Sequence, residues 1–255
     1  MMPRYYFIAV IIFLTLFVEN AFATEPILIT ISNNMDQVIF DGKWTHTTEW
    51  KRSGLNTLTY DDGTVVQLRT AHQGDFIYVF VDAVSDTYLD NGVDKTTVCL
   101  DTMNDKSETA NADDYCFAVT LDEKDPSTLQ GGSLESDHFN KIANHVDFIG
   151  ISSVSDENDR YTNVPHPSYE FRIPTDLVGR SDIYGFYLGV YDGHSGKIYS
   201  WPQEIILDSS LQIPSPSNWS DIVSPDKSLP EFGLPMITIL VAISFSVYLT
   251  KFRYR

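Results

Sequence analysis

Short runs of β-branched and aromatic residues recur along most of this chain, with no long helical stretch between them. No other feature constrains the fold as tightly, because such runs suit a pleated, half-buried surface and need neighbouring strands to cover them. They are Ile27–Ser32, Val38–Phe40, Thr64–Thr70, Phe76–Asp82, Thr96–Asp101, Tyr115–Leu121, Val146–Ser152, Tyr169–Ile173, Ile183–Tyr191 and Lys197–Trp201. Asp61-Asp62-Gly63, Gln73-Gly74 and Asp192-Gly193 place turn formers in the gaps. Only Pro174–Val178 reads as helical, with proline suited to a first helical turn. The pattern predicts an all-β protein, an antiparallel, jelly-roll-like β-sandwich over residues 24–213.

The two ends are apolar in different ways. Arg4, the run Tyr5–Val18 and the small-x-small triplet Ala21-Phe22-Ala23 make residues 1–23 a secretory signal, with cleavage expected between Ala23 and Thr24. At the other end, Phe232–Thr250 carries no charge and is long enough to cross a ~30 Å hydrocarbon core. The basic cluster Lys251, Arg253 and Arg255 follows it, so residues 251–255 are expected on the cytoplasmic side and the rest outside. Between domain and helix, residues 214–231 are rich in Pro and Ser and read as a stalk. Asn218-Trp219-Ser220 within it is the one N-glycosylation sequon.

The net charge is −18, and of the 17 Lys and Arg only 4 lie outside residues 24–231 (Arg4, Lys251, Arg253 and Arg255), against Glu19 alone among the acids. So acidic a domain repels nucleic acid, which is not expected as a partner, and it suits divalent cations.

Cys99 and Cys116 lie on consecutive strand runs of a chain read as exported, and a disulfide between them is expected. Pairing them directly fixes a register in which Val98 faces Phe117 and Leu100 faces Tyr115 on the core side. The same register sets Asp101 against Asp114 at the mouth of a loop containing Asn104, Asp105, Glu108, Asn111 and Asp113. Like charges across a ladder destabilise it unless something neutralises them, and these oxygens are ligands of the kind calcium takes. Asp101, Asn104, Asp105, Asp113 and Asp114 are therefore candidate Ca²⁺ ligands; the other reading is a solvated acidic loop.

Of the tryptophans, Trp50 and Trp201 are expected in the sandwich, Trp219 in the stalk, and Trp44 exposed as a candidate sugar-stacking residue. The histidines at 46, 72, 138, 145, 166 and 194 form no zinc-protease motif. Haem is not expected, since Met35 and Met103 have no identifiable axial partner. No nucleophile elbow is present and no catalysis is expected.

Two stretches resemble known families. Pro230-Glu231-Phe232-Gly233, with the apolar run and basic end after it, looks like the PEFG-type C-terminal sorting signal of archaeal surface proteins. That resemblance implies an archaeosortase as processing partner, with removal of the hydrophobic run. The domain resembles carbohydrate-binding-module family 9-like and DOMON-like sandwiches. The residues that carry this are Ile39-Phe40-Asp41-Gly42-Lys43 with Trp50, Phe76–Asp82, Cys99-Leu100-Asp101, Tyr169–Pro174, Ile183–Asp192 and Trp201-Pro202. Joined to the sorting signal and the C-terminal run, it implies a non-catalytic surface module with glycan as ligand and the membrane as its anchor. Two other functions stay open at this point: an envelope or adhesion protein without a small ligand, and a haem-carrying electron-transfer domain.

Overall fold

A computed structural model describes residues 25–132, 138–203 and 213–224. Two mixed sheets pack face to face as a sandwich. The first comprises β1 (Ile27–Leu28), β6 (Lys95–Asp101), β7 (Asp114–Thr120), β8 (Ser127–Gln130), β9 (Asn140–Ile142), β12 (Ile183–Asp192), β13 (Lys197–Trp201) and β14 (Ser220–Val223). Its order is β1-β14-β12-β6-β7-β8-β9, with β13 also paired to β12. The second comprises β2 (Thr30–Ile31), β3 (Gly54–Thr59), β4 (Val65–Gln73), β5 (Phe76–Asp82), β10 (Ile149–Val154) and β11 (Pro167–Pro174). Its order is β10-β11-β5-β4-β2, and β3 also pairs β4. One short helix, α1 (Thr175–Val178), follows β11. The long pairings are antiparallel as expected, whereas the two-residue pairs β1–β14 and β2–β4 are parallel.

The period of two along the strands builds the core. In β5, Ile77, Val79 and Val81 point between the sheets, where they meet Val98, Leu100, Phe117, Phe186 and Leu188. Tyr78 and Phe80 point the other way, into a second cluster with Met35, Trp44 and Trp50. The segment before β3 supplies this cover. Glu170 in β11 pins it, accepting hydrogen bonds from the N–H groups of Asp41 (3.0 Å) and Gly42 (2.8 Å) and from Trp50 Nε1 (2.9 Å). Gly42 has φ +87°, and a Cβ there would lie 2.3 Å from the Ser152 carbonyl carbon, so only glycine fits.

Trp44 is consequently not exposed. It is 1% accessible, meets Phe80 and Tyr161 edge-on, and has the Arg69 guanidinium 5.2 Å from its ring centroid. The expectation of a surface sugar platform fails because the segment folds back over the outer face of the second sheet. Val38–Phe40 likewise forms no strand; both its ends pack into the same outer cluster. Trp50 and Trp201 are buried as expected.

A disulfide joins Cys99 to Cys116, and the pairing of β6 with β7 has the anticipated register, from Val98 opposite Phe117 to Asp101 opposite Asp114. Closing a loop of this length contributes about 3 kcal/mol in the chain-entropy model. The disulfide lies on the outer face of the first sheet beside Tyr187 and Trp219. That contact corrects the domain boundary. The Pro- and Ser-rich segment is not stalk from residue 214: β14 pairs with β12 and β1, and Trp219 is 3% exposed. Burying one aromatic side chain contributes roughly 1.5–3 kcal/mol, enough to hold a short polar strand in place. Asn218 ends a 3-10 turn in this segment and is exposed. The signal, the sorting motif, the hydrophobic run and the basic tail all lie outside the described residues. Among those described, no helix is long and apolar enough to cross a membrane.

Replacing Trp44 with alanine is expected to cost about 3–5 kcal/mol, as for other buried aromatics. Urea unfolding of the variant measures it, and a loss below about 1 kcal/mol would contradict the burial.

Candidate functional site

The acidic loop between β6 and β7 closes as its register requires. Asp101 and Asp114, both fully buried, sit across the ladder with Asp113 beside them, and the three offer donor atoms within 4.8 Å of one another. Backbone donors hold part of each carboxylate: Asp101 accepts from Asp105 N–H (3.3 Å) and Lys106 N–H (3.0 Å), and Asp114 Oδ2 accepts from Asn111 N–H (2.7 Å). Three buried oxygens of the loop have no hydrogen-bond partner: Asn104 Oδ1, Asp113 Oδ2 and Asp114 Oδ1. Asp105 differs, because its oxygens accept from Ser107 N–H (3.0 Å) and Asn111 Nδ2 (3.3 Å). Of the five expected ligands, the structure gathers Asp101, Asp113 and Asp114, leaves Asn104 with a free oxygen, and commits Asp105 to the loop itself.

Burial pushes the Asp114 carboxyl up to about 7, and the charges of Asp101, Asp113 and Asp105 add to the rise against the Asn111 hydrogen bond. Asp113 is raised for the same reasons. One cation stands near. Lys106 Nζ bonds the carbonyls of Trp219 and Ser220 (both 3.0 Å) and pairs with Asp221 (2.8 Å), close to where Asp101 packs on Gly185. Sequence reasoning missed Lys106, whose backbone is held at φ 52° by the tight loop.

The opposite end of the first sheet carries a different arrangement. Tyr88, in the β5–β6 loop, and His194, in the β12–β13 turn, stack with ring centroids 3.8 Å apart and planes 5° from parallel. Both residues are exposed, Tyr88 by 59%. An aspartate two residues before each ring shapes its loop: Asp86 Oδ1 accepts the Tyr88 N–H (3.1 Å), and Asp192 Oδ1 accepts the His194 N–H (2.8 Å) and Ser195 N–H (3.0 Å). Asp94 ties the two loops together, accepting from Asp90 N–H (2.8 Å) and Gly193 N–H (2.9 Å). Donor atoms of Asp86, Asp94 and Asp192 also lie within 4.8 Å of one another. Burial, then the charges of Asp192 and Asp94, push Asp86 up to about 7; Asp94 is raised by burial too. Nothing in the sequence pattern pointed to Tyr88 and His194, which turn chemistry at two distant loops brings together.

No family model matches the sequence, and no curated protein matches it. Among solved structures, the chain is similar to a carbohydrate binding module family 9 protein from Caldicellulosiruptor kristjanssonii. In its cellotriose complex the TM-score is 0.49 at 15% identity, over 81% of this chain and 99% of that one. In its glucose complex the TM-score is 0.49 at 14% identity, over 81% and 100%. Likeness of this degree is one of outline. No ligand or binding site passes from it to this chain.

The acidic loop makes a prediction with two arms. At constant high ionic strength, which removes general screening from the comparison, millimolar calcium should raise Tm relative to chelator in the wild type and much less in Asp101→Asn/Asp114→Asn. Equal responses would place any calcium elsewhere. In chelator, carboxyls raised from 3.8 to about 7 keep protons that the unfolded chain has released between those values. Stability should therefore fall as pH rises through that window. Thermal melts should show a higher Tm at pH 5 than at pH 7 in chelator, with calcium shrinking the difference; a Tm that rises with pH in chelator would contradict it.

Proposed function

We propose that this chain is an exported, surface-anchored, non-catalytic carbohydrate-binding domain that takes its sugar at the Tyr88–His194 end of the sandwich. The observation carrying this reading is the exposed, parallel ring pair bordered by aspartates. A pyranose presents an apolar C–H face that stacks on aromatic rings and a rim of hydroxyls that carboxylates bind. Tyr88 and His194 supply the faces, and Asp86 and Asp192 stand at the base of the same loops. The rings touch, so a sugar either lies on the open face of Tyr88, with His194 backing that ring, or parts the pair and lies between the two.

The aspartates here are committed to structure rather than to bond cleavage. Both oxygens of Asp94 are engaged by backbone N–H groups, and Asp86 and Asp192 hold the turns that aim the rings. Calcium in the β6–β7 loop is part of the proposal as a structural ion at the far end, which no sugar needs to touch. Export and anchoring rest on the signal-like N-terminus and on the Pro-Glu-Phe-Gly motif with its apolar run and basic end. The acidic surface suits an extracellular setting and disfavours nucleic acid.

Glycan-array screening of full-length protein in calcium, followed by calorimetry on the best hit, tests the reading. Tyr88→Ala and His194→Ala are each expected to weaken binding by about five- to tenfold, the equivalent of about 1–1.4 kcal/mol for a lost stacking contact, with Tm nearly unchanged because both rings are exposed. Absence of any hit, or undiminished affinity in both variants, would contradict it.

A further inference from the structure

A third group of titratable side chains lies at the root of the loop that carries Tyr88, and neither the calcium reading nor the sugar reading uses it. Asp82 closes β5, His166 precedes β11, and Asp159 comes from the β10–β11 loop. Their donor atoms lie within 4.8 Å of one another, and Asp82 and His166 are 0% exposed, Asp159 8%. We propose that Asp82, Asp159 and His166 form a binding site for one divalent cation of the Zn²⁺ class, which fastens the β10–β11 loop to the end of the second sheet.

The imidazole is already set for the role. His166 Nδ1 lies 2.7 Å from the Val164 carbonyl oxygen, which can only accept, and 2.9 Å from Ser155 Oγ; with Nδ1 donating to the carbonyl, Nε2 faces Asp82 Oδ1 at 2.5 Å, a contact that holds a proton until a metal takes its place. A carbonyl-oriented histidine presenting its other nitrogen to carboxylates is the usual arrangement around a bound transition metal. Asp159 is similarly prepared: its Oδ1 accepts from Tyr161 N–H (2.7 Å) and Thr162 N–H (2.9 Å), while its Oδ2 is buried without a partner. Asp82 Oδ2 is likewise buried with no donor, and only a proton shared with the facing Asp159 carboxyl could partner it in place of a metal. These two orphaned oxygens are the independent sign of a missing ligand, since a buried carboxylate without a donor is costly.

Charge supports the same assignment. Two carboxylates and a neutral imidazole carry −2, which one divalent ion balances. A protonated His166 would leave one buried negative charge uncompensated, and among the described residues no Lys or Arg bonds either carboxylate. The nitrogen ligand selects the ion: imidazole suits zinc and its neighbours, whereas calcium takes hard oxygens. Metal–ligand bonds of ~2.0–2.2 Å would require the Nε2–Oδ1 contact to open by roughly 1 Å, which a carboxylate on a strand end allows.

Cobalt(II) is the probe, because its visible ligand-field bands report nitrogen and carboxylate coordination directly. Full-length protein is stripped with chelator, returned to saturating calcium so that all-oxygen sites are filled, and titrated with Co²⁺. One equivalent should bind with bands of four- or five-coordinate cobalt, Zn²⁺ should displace it, and Zn²⁺ at a hundredfold excess over its Kd should raise Tm by about 5 °C or more. His166→Gln and Asp159→Asn should each weaken Co²⁺ binding at least ~100-fold. Asp159→Asn, on a loop, keeps the comparison open if the buried histidine variant does not fold. Absence of the bands in wild type, or bands of unchanged affinity in Asp159→Asn, would overturn the proposal, whatever the outcome of the sugar measurements.

Discussion

Burial of aspartates beside one another, at the points where strands give way to loops, is the constraint on which this molecule depends. Three such groups exist among the described residues: Asp101 with Asp113 and Asp114, Asp86 with Asp94 and Asp192, and Asp82 with Asp159 and His166. Each fixes the path of a loop by accepting backbone N–H groups, and in each one carboxyl (Asp82, Asp86 or Asp114) is raised above its ordinary range because water is excluded. A chain with 35 acids and 17 bases has few cations to spare for these positions. The ions proposed for the β6–β7 loop and for the Asp82 group would supply that missing positive charge at two of the three.

The strands distribute this arrangement across the sandwich. Asp94 precedes β6 and Asp101 ends it, so one extended strand separates the two all-aspartate groups by about 23 Å at ~3.3 Å per residue. β12 runs alongside with Gly185 at the Asp101 end and Asp192 at the other. The stacked pair of Tyr88 and His194 occupies one end, and the Asp82 group lies at that end too, at the start of the same β5–β6 loop. The two ends thus differ: one closes a disulfide-linked hairpin, the other displays Tyr88 and His194 on a surface whose loops are tied by Asp94.

Much of the sandwich was legible in the sequence because its central strands are apolar on both faces. Phe76–Asp82 and Ile183–Tyr191 are β-rich runs that locate β5 and β12 almost to the residue. The cysteines fixed a register, and with it the meeting of Asp101 and Asp114, since a two-residue period leaves no freedom once one pair is set. Illegible were β3, β8, β9 and β14, whose Asn, Ser, Thr, Gln and Asp content reads as loop until a neighbour pairs with it. Trp44 misled because burial on a sheet's outer face depends on the chain folding back, which no local period reveals. Tyr88 and His194 are far apart in sequence, as are Asp82 and His166, so their meeting is a product of topology rather than of spacing.

The parallel ring pair of Tyr88 and His194 is proposed as a sugar-stacking surface. Saturation-transfer NMR, with selective irradiation of aromatic protons and the best-binding glycan in excess, tests it most directly. Saturation should reach the protons on one C–H face of a single sugar residue, and the Tyr88 and His194 ring signals should be the aromatic resonances displaced on titration. Displacement confined to other aromatic residues, with the Tyr88 and His194 signals unmoved at saturation, would contradict it.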